Sequence, residues 1–600
     1  MPSIPGNSGT DKTAPLDSLH DAIRRDPASE TAWLALAAWI HTQQGAHAAA
    51  RALEKAISIV RDPAIVLDTI ARLLAATPSD PLRISALNRL AALRPDNPHV
   101  LASLARALLD TAAASAARKP LREAIRLGAV ADDLKLALAS LESASGEITT
   151  ADALYSEVLA DQPSNTIAWC GRYFNALQEL RWSDAAVAAD QARHHISEQK
   201  SVRGIPNHQV LMLYGNQPPA PLPGDAFVPP PQPRRVPNNR PVRLGYLSSD
   251  LHTHATAILA AGLFEAHDRD RFDIFAYSYG PRATDSYRQR IQKATEHWCD
   301  LNDLHDAAAA RRISADQLDL LIELKGHTQG GRLGITARRP APIQIHYLGY
   351  PGPIGGYGID YFLADWDTVP EGGEAEFPET VLRLPRCYQV NDARRAPPER
   401  TEKSDHGFNE DQVVLANFNQ SWKLGEPFVA VWCRALAQNQ FARLWLLDPG
   451  AIGQREILRC ASMHGVDAPE HKIRFATRTD PRNHINRLAV ADLALDQLPC
   501  ASHTTAADAL WAGVPMLTMY GNRFAGRVGA ALVREIGEDE FIARDLKHYE
   551  VLLNSLIKDR QRLSNAKHRL NAKRSTASLW DTGGFTRDME TTLLNLVQRM

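Results

Sequence analysis

Apolar positions along the first two hundred residues keep a helical rhythm with a longer period laid over it. From Trp33 the pattern runs through Leu36, Ala37 and Ile40 to Ala49, Leu53 and Ala56. One period later Leu67, Ile70, Ala71 and Leu74 take the same places. Leu87 and Leu90 follow, with Arg83 in a slot otherwise held by a small residue and Pro95 closing the unit. The next unit reads Leu101, Leu104, Ala105, Leu108, Ala117, Leu121 and Ala124. Leu138, Ala139, Ala151, Tyr155, Val158 and Pro163 form a fourth, and Trp169, Ala185 and Ala192 a fifth. Small residues at fixed slots let antiparallel helices approach closely, and bulky ones fill the grooves between neighbours. Five units in phase therefore predict an α-helical solenoid over residues 16–200.

A step of about 34 residues with these slots is the tetratricopeptide pattern, although its consensus glycines are mostly alanine here. An alanine-rich bundle without strict repeats would not keep the phase. Such a solenoid has no chemistry of its own and offers a concave face for extended peptide. Residues 1–15 are small and polar and read as a disordered N-terminus. Residues 201–240 read as a connecting segment. Within it Ile205-Pro206-Asn207-His208 leads into apolar Val210 to Tyr214, and ten prolines between Pro218 and Pro241 rule out a helix or central strand.

Beyond the spacer the period changes to short apolar runs alternating with helical stretches. Runs at 242–247, 272–277, 318–324, 343–348, 361–364 and 381–384 predict one parallel sheet. Runs at 413–418, 443–447, 473–476, 492–495 and 516–519 predict a second, followed by a helical tail over 545–600. Two Rossmann-like domains, 241–400 and 401–600, would enclose a cleft at the carboxyl ends of their strands.

Composition narrows the partners. Basic and acidic residues number 67 and 69, which points to neither nucleic acid nor a membrane surface. Six scattered cysteines form no CxxC pair, the N-terminus lacks a signal pattern, and no uncharged run reaches spanning length. A cytoplasmic protein is expected.

The stretch Leu495 to Thr518 (L-D-Q-L-P-C-A-S-H-T-T-A-A-D-A-L-W-A-G-V-P-M-L-T) carries the strongest chemical signal. A strand ends, a Pro/Ser loop follows, and a helix starts near Ser502 to Thr505, with Ser502 or Thr504 as N-cap. Free backbone N–H groups and hydroxyls would gather there, where α/β sheets hold phosphate. Asp508, about one turn further in, could accept hydrogen bonds from a ribose. An ordinary strand–helix–strand unit has the same pattern. The glycine-rich stretch 326–332 lacks a P-loop ending, and 352–358 precedes no helix. His252 and His254 have no third metal ligand at a recognisable spacing, and no nucleophile elbow is present. Polar residues remain at strand ends. Asp250 and His254 follow the first strand, His254 being either a base or a helix cap. Lys423 follows the first strand of the second set and suits a diphosphate. His484 and Arg487 share a helix face that either contacts a base or faces solvent.

Together these stretches resemble the bacterial members of the protein O-linked N-acetylglucosamine transferases, tetratricopeptide repeats joined to a GT-B glycosyltransferase. The resemblance covers residues 30–600. It rests on V-R-L-G-Y-L-S-S-D-L-H-T-H, R-P-A-P-I-Q-I-H-Y-L-G-Y-P-G, N-F-N-Q-S-W-K and L-D-Q-L-P-C-A-S-H-T-T-A-A-D-A-L-W-A-G-V-P-M. It implies inverting transfer of N-acetylglucosamine from UDP-GlcNAc to serine or threonine hydroxyls of proteins, with no metal and no cofactor besides the donor. Acceptor proteins or extended peptides would lie in the repeat groove. By the same resemblance Lys423 neutralises the departing diphosphate beside Gln420, and His503, Thr504 and Thr505 donate to it. Asp508 holds the ribose, His484 and Arg487 the uracil. His254 and Leu348 line the sugar and acceptor side, with Asp250 a proton acceptor there. His208 is the nearest match to the base before the spacer, and Asn207 its rival. The chain departs from the pattern at Ala255, where the family has proline, at Ile258, where it has histidine, and around Pro481, where a lysine is replaced and Arg478 or Arg482 could substitute. Rival readings are a fucosyltransferase using GDP-fucose, an asparagine glucosyltransferase, and a scaffold that binds nucleotide or peptide without turnover.

Overall fold

The computed structural model describes residues 14–77, 80–109, 111, 114–129, 131–199, 205, 207–214 and 240–598. The expected disordered stretch 1–15 lies outside the described residues except for Ala14 and Pro15, which open helix Ala14–Arg25. The proline-rich spacer lies outside them except for its last two positions. The chain forms two compact units, Met1–Asp161 and Gln162–Met600.

The first unit is a run of antiparallel helices in the expected phase, from Glu30–Gln44 to Ile148–Asp161. Each small-residue slot is closed to solvent: Ala49, Ala105, Ala124, Ala139 and Ala151 are fully buried, as are Leu53, Ile70 and Leu121. Helix starts follow local chemistry. Proline occupies the first turn at Pro63 and Pro81, where its missing N–H costs nothing, and Asp62 and Asp80 accept from Ala64 N and Leu82 N. Arg83, the intruder in the small-residue slot, turns its Nε to Ala71 O at 3.1 Å.

The second unit opens with the pair Thr166–Gln178 and Trp182–Gln199, which the pattern assigns to the solenoid. The repeat chemistry does persist there. Trp169 Nε1 donates to Pro163 O at 2.8 Å, as Trp33 Nε1 does to Pro27 O in the first unit. What differs is burial: Leu180 and Trp182, at the corner of this pair, enter the core of the second sheet. Ile205 to Tyr214, left open by the sequence, contains the helix Asn207–Tyr214.

Two parallel sheets follow. The first comprises β1 (Val242–Ser248), β2 (Phe272–Ser278), β3 (His297–Asp300), β4 (Leu320–Glu323), β5 (Ile343–His346), β6 (Tyr361–Asp365) and β7 (Thr380–Leu384), in the order β3-β2-β1-β4-β5-β6-β7. The second comprises β8 (Val413–Asn417), β9 (Ala442–Leu447), β10 (Ile473–Ala476), β11 (Leu493–Leu495), β12 (Met516–Met519) and β13 (Ile542–Ala543), in the order β10-β9-β8-β11-β12-β13. The pattern missed β3, a polar edge strand, and β13, only two residues long. Chain order reverses between β1 and β4 and again between β8 and β11, which makes the carboxyl ends of those strands the places to look for ligands.

Loops and the C-terminal helices tie the sheets together. Phe524 packs on Phe362, Phe377 and Tyr388, and Asp367 accepts from Tyr520 Oη at 3.0 Å and Arg534 Nη1 at 2.8 Å. Helix Thr582–Gln598 returns to the first sheet, where buried Tyr246, His267 and Glu590 are linked by two 2.8 Å hydrogen bonds. No helix among the described residues is long and apolar enough to cross a membrane, and all six cysteines are free. Leu593 on the returning helix is fully buried, so Leu593→Ala should lower unfolding stability by about 2–4 kcal/mol in urea titrations. A loss below about 1 kcal/mol would mean that this helix is not part of the core.

Candidate active site

The second-half site is built where β8 and β11 end. The helix after β11 runs Thr504–Trp511 and stops at Gly513, whose φ of +80° suits glycine. Its cap is His503, with no side-chain cap bond, rather than Ser502 or Thr504 as expected. The Ser502 Oγ is turned instead to Asn419, accepting from its Nδ2 at 2.7 Å. The first turn therefore keeps its donors: no protein acceptor takes the N–H of His503, Thr504 or Thr505 among the described residues. Four such groups are unpaired at any helix start, and they carry the positive end of the helix dipole.

Lys423 arrives from the end of β8 on the short turn Ser421–Lys423. Its Nζ donates to Ala501 O at 3.2 Å and lies over the Trp422 ring at 5.6 Å. No carboxylate pairs with it among the described residues. A cation thus meets the open N-terminus of a helix with no counter-charge from the protein. Gln420 is exposed, its Oε1 accepting from Trp422 Nε1 at 2.7 Å. Thr505 Oγ1 donates to Asn419 Oδ1 at 2.8 Å, while the Thr504 hydroxyl has no hydrogen-bond partner among the described residues. The His503 Nε2–H donates to Ala525 O at 3.0 Å, so as a neutral imidazole this ring anchors the loop, and what it offers a ligand is its backbone N–H. Burial, reinforced by Lys423, pushes the His503 pKa down to about 3.

Beneath this surface lies a polar network that sequence reasoning missed. Buried Asp496 accepts from Ser502 N and Thr518 Oγ1, both at 2.7 Å, and burial raises its pKa. Asn417 and Asn419 tie the β8 end to Gln497 and Ser502. An aspartate at the end of the β11 run, just before the Pro/Ser loop, was the available signal.

His484, Arg487 and Asp508 form a second cluster beside it. His484 Nε2 is 3.8 Å from Asp508 Oδ2, and Arg487 Nε donates to His484 Nδ1 at 3.2 Å. Arg487 also lies over the Phe418 ring at 4.5 Å and donates to Thr477 O, so it is a braced, nearly buried side chain. Burial lowers the His484 pKa to about 4 against the pull of Asp508. Asp508 has a partner that the sequence did not suggest, Arg395 from the segment joining the halves. Arg482, a suggested substitute near Pro481, is instead an exposed partner of Glu399.

In the first half Asp250 and His254 follow β1. His254 is the N-cap of helix Ala255–Ala266: its Nδ1 accepts from Thr256 N at 3.2 Å, which leaves the ring proton on Nε2. Burial lowers its pKa. Asp250 is buried, with its oxygens 2.8 and 3.0 Å from Lys325 Nζ and with Ser249 Oγ donating at 2.8 Å. Its carboxylate is thus tied to the end of β4 as well as to its own loop. Lys325 follows β4, the other side of the switch point, and was not singled out in the sequence. Leu348 lies beyond β5 with φ +72°, not in the strand as expected, and Gly349 packs directly against the backbone of Leu324 and Lys325. A bulky residue in that conformation costs on the order of 1–3 kcal/mol and marks a place where structure overrides local preference.

His208 sits on helix Asn207–Tyr214, which joins the halves: Val210, Met212 and Leu213 pack with Cys500 and Ala525, while Leu211 meets Leu333, Tyr350 and Ile354. The His208 ring packs edge-on to Phe174 at 4.7 Å, and burial lowers its pKa to about 4. The side chain of Asn207 lies outside the described residues. Among the described residues the grouping with metal-ligand spacing is His194, His195 and Glu198 on helix Trp182–Gln199. His252 and His254 belong to no such grouping.

Comparison with known proteins places these observations. A probable UDP-N-acetylglucosamine–peptide N-acetylglucosaminyltransferase, SEC, of Arabidopsis thaliana is 35% identical over 356 residues, 58% of this chain and 36% of that protein. A probable UDP-N-acetylglucosamine–peptide N-acetylglucosaminyltransferase, SPINDLY, of Solanum lycopersicum is 28% identical over 370 residues, 60% of this chain and 39% of that protein. The chain thus spans between a third and two fifths of the length of these curated relatives. The solved structure of a mutant O-GlcNAc transferase of Thermobaculum terrenum superposes with a TM-score of 0.56 at 22% identity, covering 99% of both chains, and shows the same fold, helical repeats ahead of the two sheets of a GT-B enzyme. The sequence profile of glycosyl transferase family 41 matches residues 230–404 and 399–589, and the chain belongs to that family.

Proposed function

We propose that this protein transfers N-acetylglucosamine from UDP-GlcNAc to serine or threonine hydroxyls of proteins, with inversion at the anomeric carbon and without a metal ion. The observation that carries the proposal is the meeting of Lys423, uncompensated by any described carboxylate, with the free N–H groups of His503 to Thr505. In such a transfer the acceptor oxygen bonds to the anomeric carbon as the bond to the UDP oxygen breaks, and negative charge grows on the β-phosphate. Preorganised donors aimed at that charge are worth several kcal/mol in a water-poor cleft. A lysine and a helix N-terminus can supply what a divalent cation supplies in other transferases. UDP as the nucleotide is suggested by the names of the plant relatives, and His484, Asp508 and Arg395 would hold its nucleoside end. The acceptor proton would pass to His208, whose imidazole is not held by a cap bond as that of His254 is, nor by a backbone carbonyl as that of His503 is. A weak base suffices when leaving-group support does most of the work. Asp250 and Lys325 would fix His254 and the Leu348 turn on the sugar and acceptor side. Acceptor proteins would approach as extended segments through the helical repeats.

UDP and UDP-GlcNAc should raise the melting temperature, and GDP should not. Stabilisation by GDP alone would point to a different donor, and no response to any nucleotide would favour a scaffold. Lys423→Ala should lower kcat about 10²–10³-fold while affinity for intact UDP-GlcNAc falls much less, because its partner charge is complete only as UDP leaves. Equal losses in both would contradict a leaving-group role.

The buried imidazoles add a pH signature. His484 has its folded pKa depressed to about 4, against about 6.5 in an unfolded chain. Between those values the unfolded chain binds the extra proton, so stability present above about pH 6.5 is lost as pH falls toward 4. His484→Gln should make the drop in urea-derived unfolding free energy between pH 7.5 and 4.5 smaller by about 1–3 kcal/mol. An unchanged slope would mean that His484 is not held neutral.

A further inference from the structure

Three residues flanking Lys423, namely Ser421, Trp422 and Leu424, are gripped by the last pair of repeat helices. Ser421 Oγ donates to Gln178 O at 2.6 Å. Gln178 ends helix Thr166–Gln178, and the serine hydroxyl thus reaches a carbonyl at the helix C-terminus. The Trp422 ring packs on Phe174, one turn earlier on that helix, at 5.8 Å between centroids. Trp182 Nε1, on the first residue of the next helix, donates to Leu424 O at 2.9 Å, with both groups buried. Between the two helices Leu180 holds φ +58°, a place where glycine is usual and a leucine is strained. That strained leucine is fully buried with Trp182, Leu424 and Phe428 in the core of the second sheet. The corner is therefore built as a plug for the second sheet.

The turn Ser421–Lys423 has few backbone bonds of its own. Its own bonds are Lys423 N to Gln420 O and Leu424 N to Ser421 O, at 3.0 and 2.8 Å. The Lys423 ammonium is anchored by Ala501 O, the Cys500 sulfur and the Trp422 face, none of them a charged partner. A lysine on a four-carbon stem can be aimed only through its backbone, and this backbone is aimed from the repeats. We infer that Trp182 and Ser421 are positioning residues for the Lys423 ammonium, so that the last repeat pair sets how the diphosphate is held. Trp182 acts through the Leu424 carbonyl and Ser421 through Gln178, and neither touches the nucleotide. This inference rests on the reading of Lys423 as the diphosphate cation.

The readout is the preference for UDP over UMP, measured by calorimetric titration of the full chain, because only UDP presents a β-phosphate. Lys423→Ala should lower that preference more than Trp182→Phe or Ser421→Ala does, with the N–H groups of His503 to Thr505 keeping the remainder. Trp182→Phe keeps the ring packing and removes one donor. It should shrink the preference about three- to tenfold while leaving UMP affinity within about twofold. Ser421→Ala, a change that removes only a hydroxyl, should act in the same direction and serves as the second variant if Trp182→Phe folds poorly. In the Lys423→Ala background neither change should have a further effect. The inference is overturned if Trp182→Phe and Ser421→Ala keep the native UDP preference while Lys423→Ala loses it, or if their effects add to that of Lys423→Ala. A native preference in Lys423→Ala alone would instead bring down the reading of Lys423 and the inference with it.

Discussion

One unpaired ammonium constrains everything around it. Lys423 is half-buried, touches a carbonyl at 3.2 Å, the Cys500 sulfur and the Trp422 face but no carboxylate among the described residues, and lies by a helix start whose N–H groups are open. Leaving a cation and a dipole of the same sign side by side is unfavourable in the empty protein, and it persists because the surroundings are rigid. Asp496 holds Ser502, Asn419 holds both Ser502 and Thr505, and the β8 end is pinned to Gln497. An anion arriving there finds its charge partners already in place, and no reorganisation is needed as charge develops.

The other cations at the cleft are spent on the protein. Lys325 holds Asp250, Arg395 holds Asp508, and Arg487 is divided between Thr477 O, His484 and the Phe418 face. His208, His484 and His503 are kept uncharged by burial. The positive potential of the cleft is thus concentrated at one point. Removing one member of the buried Lys325–Asp250 pair would leave the other uncompensated, at a cost of about 3–5 kcal/mol, which suits a part in fixing shape.

Much of this was legible in the chain. The repeat phase gave the helices of the first unit, and alternating apolar runs gave most of the strands, because both signals are local. The contact between Thr504–Trp511 and a phosphate-type site could be read because strand end, loop and helix start are contiguous. What escaped notice depends on distance in sequence. Lys325 meets Asp250, Arg395 meets Asp508, and Trp182 meets Leu424 only after folding. The sequence likewise assigned Thr166–Gln199 to the solenoid, since its pattern is a repeat pattern; only the burial of Leu180 and Trp182 in another core shows where it belongs. The strand expected at 343–348 ends at His346 because Leu348 turns left-handed.

The most direct measurement is a crystal structure with UDP bound. The account predicts the β-phosphate within hydrogen-bonding distance of Lys423 Nζ and of the N–H groups of Thr504 and Thr505, with Asp508 beside the ribose. Finding the pyrophosphate elsewhere at full occupancy, with Lys423 still on Ala501 O, would contradict it.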